Sequence, residues 1–196
     1  SGLYRLGMRL LELGSLVKGR LDVRAMAIEA MRELHKITGQ TVNLALRQAD
    51  EIVYVERAWS ENSGMLVVRA IGGHAPLHLT SSGKLFLSHF DNRQVRAYVM
   101  RTGLAGSTRN SITQLAQLEN ELALVRRHGY ARDNEELEMG VRCIAAGIYD
   151  DTGTLIAGLS LSAPAERLRD AWIPVLQDTA RNISVSLGFE PAQELK

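Results

Sequence analysis

The sequence predicts an α+β fold in which helices pack on the faces of an antiparallel β-sheet. Three observations support this prediction. Apolar residues recur at helical spacing after Asp22, alternating segments follow at 41–47 and 51–57, and two β-prone segments flank residues 150–153. The predicted order is helix, three strands, helices, two strands and a final helix, in one domain or one domain with an appended helical segment.

The first predicted helix begins at Asp22, which can act as its N-cap, and ends before Gly39. Its apolar stripe comprises Val23, Met26, Ala27, Ala30, Met31, Leu34 and Ile37. Residues 3–16 form a short irregular piece before it. After it, 41–47 and 51–57 alternate apolar and polar residues around a connection at 48–50, which predicts a hairpin. The apolar run 65–71 predicts a third strand.

The next helix is predicted to follow a loop at 72–76, with Thr80 or Ser81 as its N-cap. Its first turn holds only small side chains, so its free backbone N–H groups should be approachable and could hold a carboxylate. The alternative is an ordinary capped helix with nothing bound.

Two more helices are predicted before residue 130. One covers about 91–101, and the other begins with the capping-box spacing of residues 111–114 and ends at Gly129. Residues 130–140 are predicted to form a polar, acidic connection. Further along, Pro164 suits the first position of a last helix, which ends before Gly188.

The second hairpin covers residues 143–162. A four-residue loop that pairs Tyr149 with Thr154 would place Cys143 opposite Ser160 and Val141 opposite Ser162. Alternation then divides the side chains between two faces of the sheet. The face predicted to be core carries Ile144, Ala146, Ile148, Leu155, Leu159 and Leu161. The opposite face carries Cys143, Ala145, Gly147, Gly158, Ser160 and Ser162.

This second face is small and weakly polar. Such a surface suits the floor of a pocket, because it leaves volume open and presents hydroxyl groups to a ligand. The alternative is that a helix packs closely on the face and requires small residues beneath it. Asp133 lies ten residues before Cys143, and we expect it at the pocket rim, where it could accept hydrogen bonds from a ligand.

The composition excludes several classes of function. Because 23 Lys and Arg residues nearly balance 22 Asp and Glu residues, the chain has no strong positive field with which to hold nucleic acid by itself. The single cysteine excludes an internal disulfide and favours a reducing cytoplasm. No apolar run reaches the roughly 18 residues of a membrane span, so no membrane partner is expected.

Metal and thiol chemistry have weak support in the sequence. His74 and His78 share an i, i+4 spacing, but Pro76 between them argues against one helical face, so neither a metal site nor a cofactor is expected. A small thiol-dependent enzyme would use Cys143 as its nucleophile, and that nucleophile would need a nearby base. A thiol in mid-strand is more often a small buried apolar group. A purely structural oligomerisation module is a further alternative.

A series of short motifs resembles the effector-binding half of the IclR family of bacterial transcriptional regulators. The motifs are residues 4–7 (YRLG), 76–78 (PLH), 82–84 (SGK), 129–133, 140–146 and 160–162 (SLS). The resemblance implies a GAF-like antiparallel sheet with helices on its faces over 19–189. It also implies that residues 1–18 end a linker after a missing N-terminal winged helix-turn-helix domain, and that 190–196 form a tail.

The resemblance further implies a regulatory domain that is not an enzyme. Its partners would be a small organic acid effector, further copies of itself in a homodimer or homotetramer, and DNA only through the missing domain. By position in the family, the effector site would comprise Ser81, Ser82, Gly83, Asp133, Cys143, Ser160 and Ser162. Its apolar wall would comprise Val67, Ala75 and Val141.

Overall fold

One six-stranded antiparallel sheet organises the computed structural model, which describes Arg9, residues 22–60 and residues 71–190. Its strands are β1 (Thr41–Gln48), β2 (Glu51–Ala58), β3 (His74–Pro76), β4 (Tyr130–Asn134), β5 (Val141–Tyr149) and β6 (Leu155–Pro164), in the order β3-β2-β1-β6-β5-β4. The α-helices of residues 22–60 and 71–190 are α1 (Asp22–Thr38), α2 (Ser81–Ser88), α3 (Asn92–Thr102), α4 (Leu115–His128) and α5 (Ile173–Ser186), and short 3-10 helices at Leu77–Leu79 and Asp170–Trp172 precede α2 and α5. The predicted α+β class is confirmed.

Apolar cores cover both faces of the sheet. On one face, α1 and α5 pack on the strands through side chains such as Leu34 and Ile183, over Leu44, Ile144 and Leu159. On the other face, α2, α3 and α4 pack on a second core and a small satellite core. Since residues in a strand alternate between faces, every central strand contributes to both sides. None of the helices in the described part of the chain is both long and apolar enough to cross a bilayer.

The predictions of α1, α2 and α3 are confirmed. Thr80 caps α2, because its Oγ1 accepts a hydrogen bond of 3.0 Å from the Gly83 N–H group. Asp91 and Gln94 form a reciprocal capping box at the start of α3.

The predicted starts of the last two helices are wrong. Helix α4 begins at Leu115 rather than at Ser111, whose hydroxyl oxygen accepts bonds from the N–H groups of Ser107 and Thr108 and donates to the Glu136 carbonyl. That hydroxyl group therefore orders a loop and caps no helix. Pro164 ends β6, and α5 begins at Ile173.

Several strand predictions also need correction. The predicted third strand falls mostly on residues 65–70, which lie outside the described part of the chain, and Ile71 lies in a turn. The predicted loop at 72–76 contains β3, whose three residues pair with β2. The first half of the predicted acidic connection is β4, which pairs with β5 at the sheet edge. An edge strand tolerates polar residues, and this explains why its sequence resembles a loop.

The predicted register of the second hairpin is wrong by two residues. Cys143 faces Ser162 rather than Ser160, and Val141 faces Pro164. A shift of two preserves the face of every side chain, so the predicted division between faces holds along most of the hairpin. The exception is Leu155. Ile156 is an extra residue between the pairs Ile148–Ala157 and Tyr149–Leu155, and this bulge turns Leu155 towards the second core.

Candidate functional site

A row of polar residues crosses four neighbouring strands on the face that α2 covers. Asp133 on β4 lies opposite Cys143 on β5, Cys143 lies opposite Ser162 on β6, and Ser162 lies opposite Thr41 on β1. Residues directly opposite one another point to the same side of a sheet, so these side chains form one continuous row. Ser160 follows on the same face of β6, and both serines are buried.

Hydrogen bonds extend this row to the next strand. Ser162 Oγ lies 3.2 Å from Cys143 Sγ and accepts a bond of 3.1 Å from Asn43 Nδ2. The Oδ1 atom of Asn43 in turn accepts a bond of 2.7 Å from Nε of Arg57 on β2. The structure thus brings Asp133, Cys143 and Ser162 together as predicted. It adds Thr41, Asn43 and Arg57, which the sequence reading missed.

The start of α2 presents backbone donors beside this face. Thr80 accepts the N–H groups of Gly83 and Lys84 through its hydroxyl and carbonyl oxygens. The N–H groups of Ser81 and Ser82 have no acceptor within their helix, as expected at a helix N-terminus. The Ser82 hydroxyl is buried and has no hydrogen-bond partner among the described residues. Such an orphaned hydroxyl group is costly unless something binds it.

Helix α2 packs directly on β6. A β-carbon added to Gly158 would lie 2.7 Å from the Ser82 β-carbon, which is closer than real contacts allow. The close approach of α2 therefore requires a glycine at position 158. At this position the small face is explained by helix packing, the alternative to a pocket floor. At Gly147, the corresponding space is filled by the Leu155 side chain, whose Cδ1 atom would lie 2.6 Å from an added β-carbon.

A buried ion pair lies next to the polar row. The Lys84 side chain is fully buried, with Nζ 2.6 Å from Glu136 Oε1 and 3.3 Å from Glu121 Oε1. Burial raises the pKa of Glu136, although the Lys84 ammonium group opposes this rise. The second carboxylate oxygen of Glu136 has no partner among the described residues. This pair could not be predicted from the sequence, because residues 84 and 136 are far apart in the chain and belong to no common motif.

Asp133 is buried and has a perturbed acidity. Burial raises its pKa to about 7, and the nearby Glu136 carboxylate adds to the rise. The Glu136 N–H group donates a bond of 2.8 Å to Asp133 Oδ1, which favours the charged form but does not outweigh burial. Near neutral pH, Asp133 can therefore either accept or donate a hydrogen bond.

Cys143 is unsuited to nucleophilic catalysis. Burial raises the pKa of its thiol well above the usual range, and the Asp133 carboxyl group raises it further. The thiol is therefore protonated at neutral pH, and the thiolate form that attacks electrophiles is not available. Among the described residues, no group of three or more His, Cys, Asp or Glu side chains is placed to hold a metal ion.

The three predicted wall residues have different surroundings. Ala75 on β3 is fully buried in the second core. Val141 is half-buried at the start of β5, opposite Pro164. Val67 lies outside the described part of the chain.

Comparison with known proteins identifies the family. The sequence profile described as bacterial transcriptional regulator IclR C-terminal matches residues 16–185. The transcriptional regulator KdgR of Dickeya chrysanthemi is 36% identical over 190 residues, which make up 95% of this chain. The chain spans 62% of the length of that relative.

Solved structures agree with this match. The crystal structure of Thermotoga maritima IclR superposes with a TM-score of 0.83 at 34% identity, covering 93% of this chain and 75% of that one. The inducer-binding domain of a double mutant of the Acinetobacter transcription factor PobR, in complex with 3-hydroxybenzoic acid, gives a TM-score of 0.75 at 26% identity. That match covers 82% of this chain and 96% of the PobR domain. The chain therefore belongs to the IclR family of bacterial transcriptional regulators and contains the C-terminal domain of that family.

Proposed function

We propose that this chain is a ligand-sensing and oligomerisation domain that binds a small organic acid. Effector binding would modulate DNA binding by a winged helix-turn-helix domain elsewhere in the full-length regulator, in the bacterial cytoplasm. The observation that carries the proposal is the convergence of the row from Asp133 to Ser162 with the start of α2, where Ser82 has an unpartnered buried hydroxyl group, on one face of the sheet.

In this proposal, the carboxylate of the effector docks on the α2 start at Ser81, Ser82 and Gly83, where the backbone N–H groups of Ser81 and Ser82 and the helix dipole favour negative charge, and the Gly83 N–H group stays bonded to Thr80. Other polar atoms of the effector contact the side chains of Asp133, Cys143, Ser160 and Ser162. Of the three predicted wall residues, Ala75 and Val141 provide apolar surface, and Val67 lies outside the described part of the chain. Charge-assisted hydrogen bonds contribute about 1.5–3 kcal/mol each, so a few suffice for roughly micromolar affinity.

The comparison with PobR supports an organic acid, because that related inducer-binding domain holds 3-hydroxybenzoic acid. The raised pKa of the Cys143 thiol weakens the competing proposal of a thiol-dependent enzyme. A sensor of this kind binds its ligand stoichiometrically and forms no product.

A thermal-shift screen of carboxylic acids tests the proposal. An effector should raise the melting temperature increasingly with concentration, because binding to the native state stabilises it. Ser160→Ala and Asp133→Ala should reduce the shift produced by the best acid. Ser186→Ala, which alters an exposed serine on α5, is the control and should retain the full shift. If no carboxylic acid stabilises the protein, the sensor proposal fails and the structural module becomes the better explanation.

We also propose that the chain self-associates through α1. Met26 and Ile37 are 45% and 65% exposed. They lie eleven residues apart, which is close to three helical turns, so they share one side of the helix. Large apolar side chains exposed on one line of a helix are typical of an interface with another copy.

Sedimentation velocity tests self-association. The wild-type protein should sediment as a dimer or tetramer, and the double substitution Met26→Asp with Ile37→Asp should shift it towards the monomer. Met100→Asp is the control, because Met100 is 87% exposed on α3 and outside the proposed interface. A wild-type monomer at every concentration contradicts this part of the proposal.

A further inference from the structure

Arg57 is a half-buried cation on β2, on the same face of the sheet as Asn43 and Ser160. It lies opposite Asn43, which in turn lies opposite Ser160. Some arginines of the described chain form ion pairs, as Arg24 does with Glu56 at 2.6 Å. Arg57 has no ion pair with any carboxylate that the structure describes.

The position of the Arg57 guanidinium group is set by hydrogen bonds. Its Nε atom donates a hydrogen bond of 2.7 Å to Asn43 Oδ1. Asn43 is itself held by a hydrogen bond of 3.1 Å from its Nδ2 atom to Ser162 Oγ. A guanidinium group has five N–H donors in a rigid fork, and this contact uses one of them. The outer nitrogens can therefore still bind an anion in bidentate fashion.

We propose that Arg57 binds a second anionic group of the effector, so that the class of effector is a linear dicarboxylate. This inference rests on the proposed carboxylate site at the start of α2. Asn43 acts as a positioning residue for Arg57. The effector would bridge two anchors on the same face of the sheet, with the hydroxyl groups of Ser160 and Ser162 between or beside them.

The strand geometry limits the length of such a ligand. Ser82 of the α2 start lies over Gly158, whereas Asn43 lies opposite Ser160 and bonds to Ser162. Arg57 is aligned with Ser160 through Asn43, so it lies about two residues along β6 and two strands across the sheet from the α2 start, or roughly 7 Å and 10 Å, which is about 12 Å in all. Hydrogen-bond contacts take up about 3 Å at each end, which leaves about 6 Å, and the reach of the Arg57 side chain widens this range, so an extended diacid of about four to six carbons fits.

The partial burial of Arg57 also favours an anionic partner for its guanidinium group. Burial lowers the pKa of Arg57, and the carboxylates of the described chain do not offset this effect. A partly desolvated cation gains when an anion fills its free donors, because a charge removed from water needs a partner. Lys84, the buried cation beside the polar row, is already paired with Glu136 and Glu121, so Arg57 is the cation that can accept a second anion.

Calorimetric titration with adipate and hexanoate tests the proposal, because these acids share a six-carbon chain and differ in one carboxylate. Adipate should bind the wild-type protein at least about tenfold more tightly than hexanoate, as expected for a charge-assisted contact. Arg57→Gln should lower the affinity for adipate by about ten- to hundredfold and change the affinity for hexanoate by less than about twofold. Arg57→Lys retains the charge and should keep part of the preference.

Arg96→Gln is the matched control, since it removes one positive charge from an exposed position on α3 and should leave both affinities unchanged. Equal affinity of the wild-type protein for the two acids overturns the second anion site but leaves the carboxylate sensor standing. If Arg57→Gln lowers the affinities for both acids equally, the second anion site is also overturned, because Arg57 would then bind the carboxylate that the two acids share. If the wild-type protein binds neither acid, the linear-dicarboxylate proposal is overturned, whereas the thermal-shift screen decides separately whether the protein senses any carboxylic acid.

Discussion

Asp133 shows how one buried carboxyl group can adjust a binding site. It receives a hydrogen bond from the Glu136 backbone, yet burial still raises its pKa to about 7. Near neutral pH it therefore exists in both protonation states. A ligand carboxylate beside it would favour the protonated form, which can donate a hydrogen bond rather than repel the ligand.

The pKa of Asp133 predicts how stability depends on pH. The native carboxyl group keeps a proton between about pH 4 and pH 7 that an unfolded chain, with an Asp pKa near 3.9, would release. Its contribution to stability is therefore complete below about pH 4 and is lost as the pH rises towards 7. We expect the stability of the wild-type protein relative to Asp133→Asn to fall by up to about 1.4 kcal/mol per pH unit between pH 5 and pH 7.

Urea unfolding of both proteins at pH 5, 6 and 7 measures this difference. Glu136 also has a raised pKa, but it is present in both proteins and its effect largely cancels. Asp178→Asn, at an exposed position on α5, should follow the wild-type curve. Parallel pH profiles for the wild-type protein and Asp133→Asn would contradict the raised pKa.

Cys143 provides a second prediction for a single residue. Because the pKa of its thiol is raised, the native protein should react with iodoacetamide at pH 8 at least about tenfold more slowly than free cysteine. The protein unfolded in urea should react at the ordinary rate. Mass spectrometry of timed samples gives both rates, and fast alkylation of the native protein would reopen the thiol-enzyme alternative.

Among the elements, α2 and β6 make a close contact within the site at Ser82 and Gly158. Gly158→Ala should destabilise the protein by about 1–3 kcal/mol, because the new methyl group overlaps Ser82 and the helix has to shift. Removing the opposing side chain in the double variant Gly158→Ala with Ser82→Gly should restore part of the loss. Urea unfolding measures both changes.

Gly147→Ala is the matched control on the neighbouring strand. Its methyl group would meet the end of the Leu155 side chain, which can rotate away, so a smaller loss is expected. If both alanine variants lose the same stability, the α2 backbone is free to adjust over Gly158.

At the level of elements, local sequence patterns predicted most of the helices and strands and the faces of their side chains. Side-chain alternation assigned Cys143 and Ser162 to the correct face, even though their pairing was wrong, because an error of two residues keeps the face. The bulge at Ile156 follows no local pattern, so the orientation of Leu155 was missed. The Ser111 hydroxyl group was assigned to a helix cap because nothing in its own segment shows that it binds Glu136.

The site itself depends on contacts that are distant in sequence. Asp133, Cys143, Ser160 and Ser162 could be proposed from hairpin geometry and family resemblance. Arg57 could not be placed beside them, because its pairing with Asn43 follows an irregularity in register between Leu44 and Ala45. The pairing of Lys84 with Glu136 needs the whole fold.

At the level of the whole molecule, the sheet separates the proposed effector site from α1 and α5. A ligand can signal only if it binds one arrangement of the protein better than another. The connection at 135–140 and the segment 72–76 border the site, since one follows Asp133 and the other leads into α2. They are therefore our candidates for the moving parts.

Hydrogen exchange tests this assignment. Saturation with the most stabilising acid should slow amide exchange in 72–76 and 135–140, because ligand contacts order segments that otherwise open locally. Helix α4 serves as the internal reference and should exchange at an unchanged rate. Unchanged exchange in both segments at full saturation would exclude them as the responding elements.

The contact between Ser82 and Gly158 also limits how this regulator can be redesigned as a biosensor. Neither side chain can grow without displacing the other, so randomising these two positions should yield mostly misfolded variants. Asn43 and Arg57 lie on neighbouring strands, away from that contact. If the proposed effector site is correct, a mutant library directed at those two positions should retain folded proteins while changing which organic acid the chain binds.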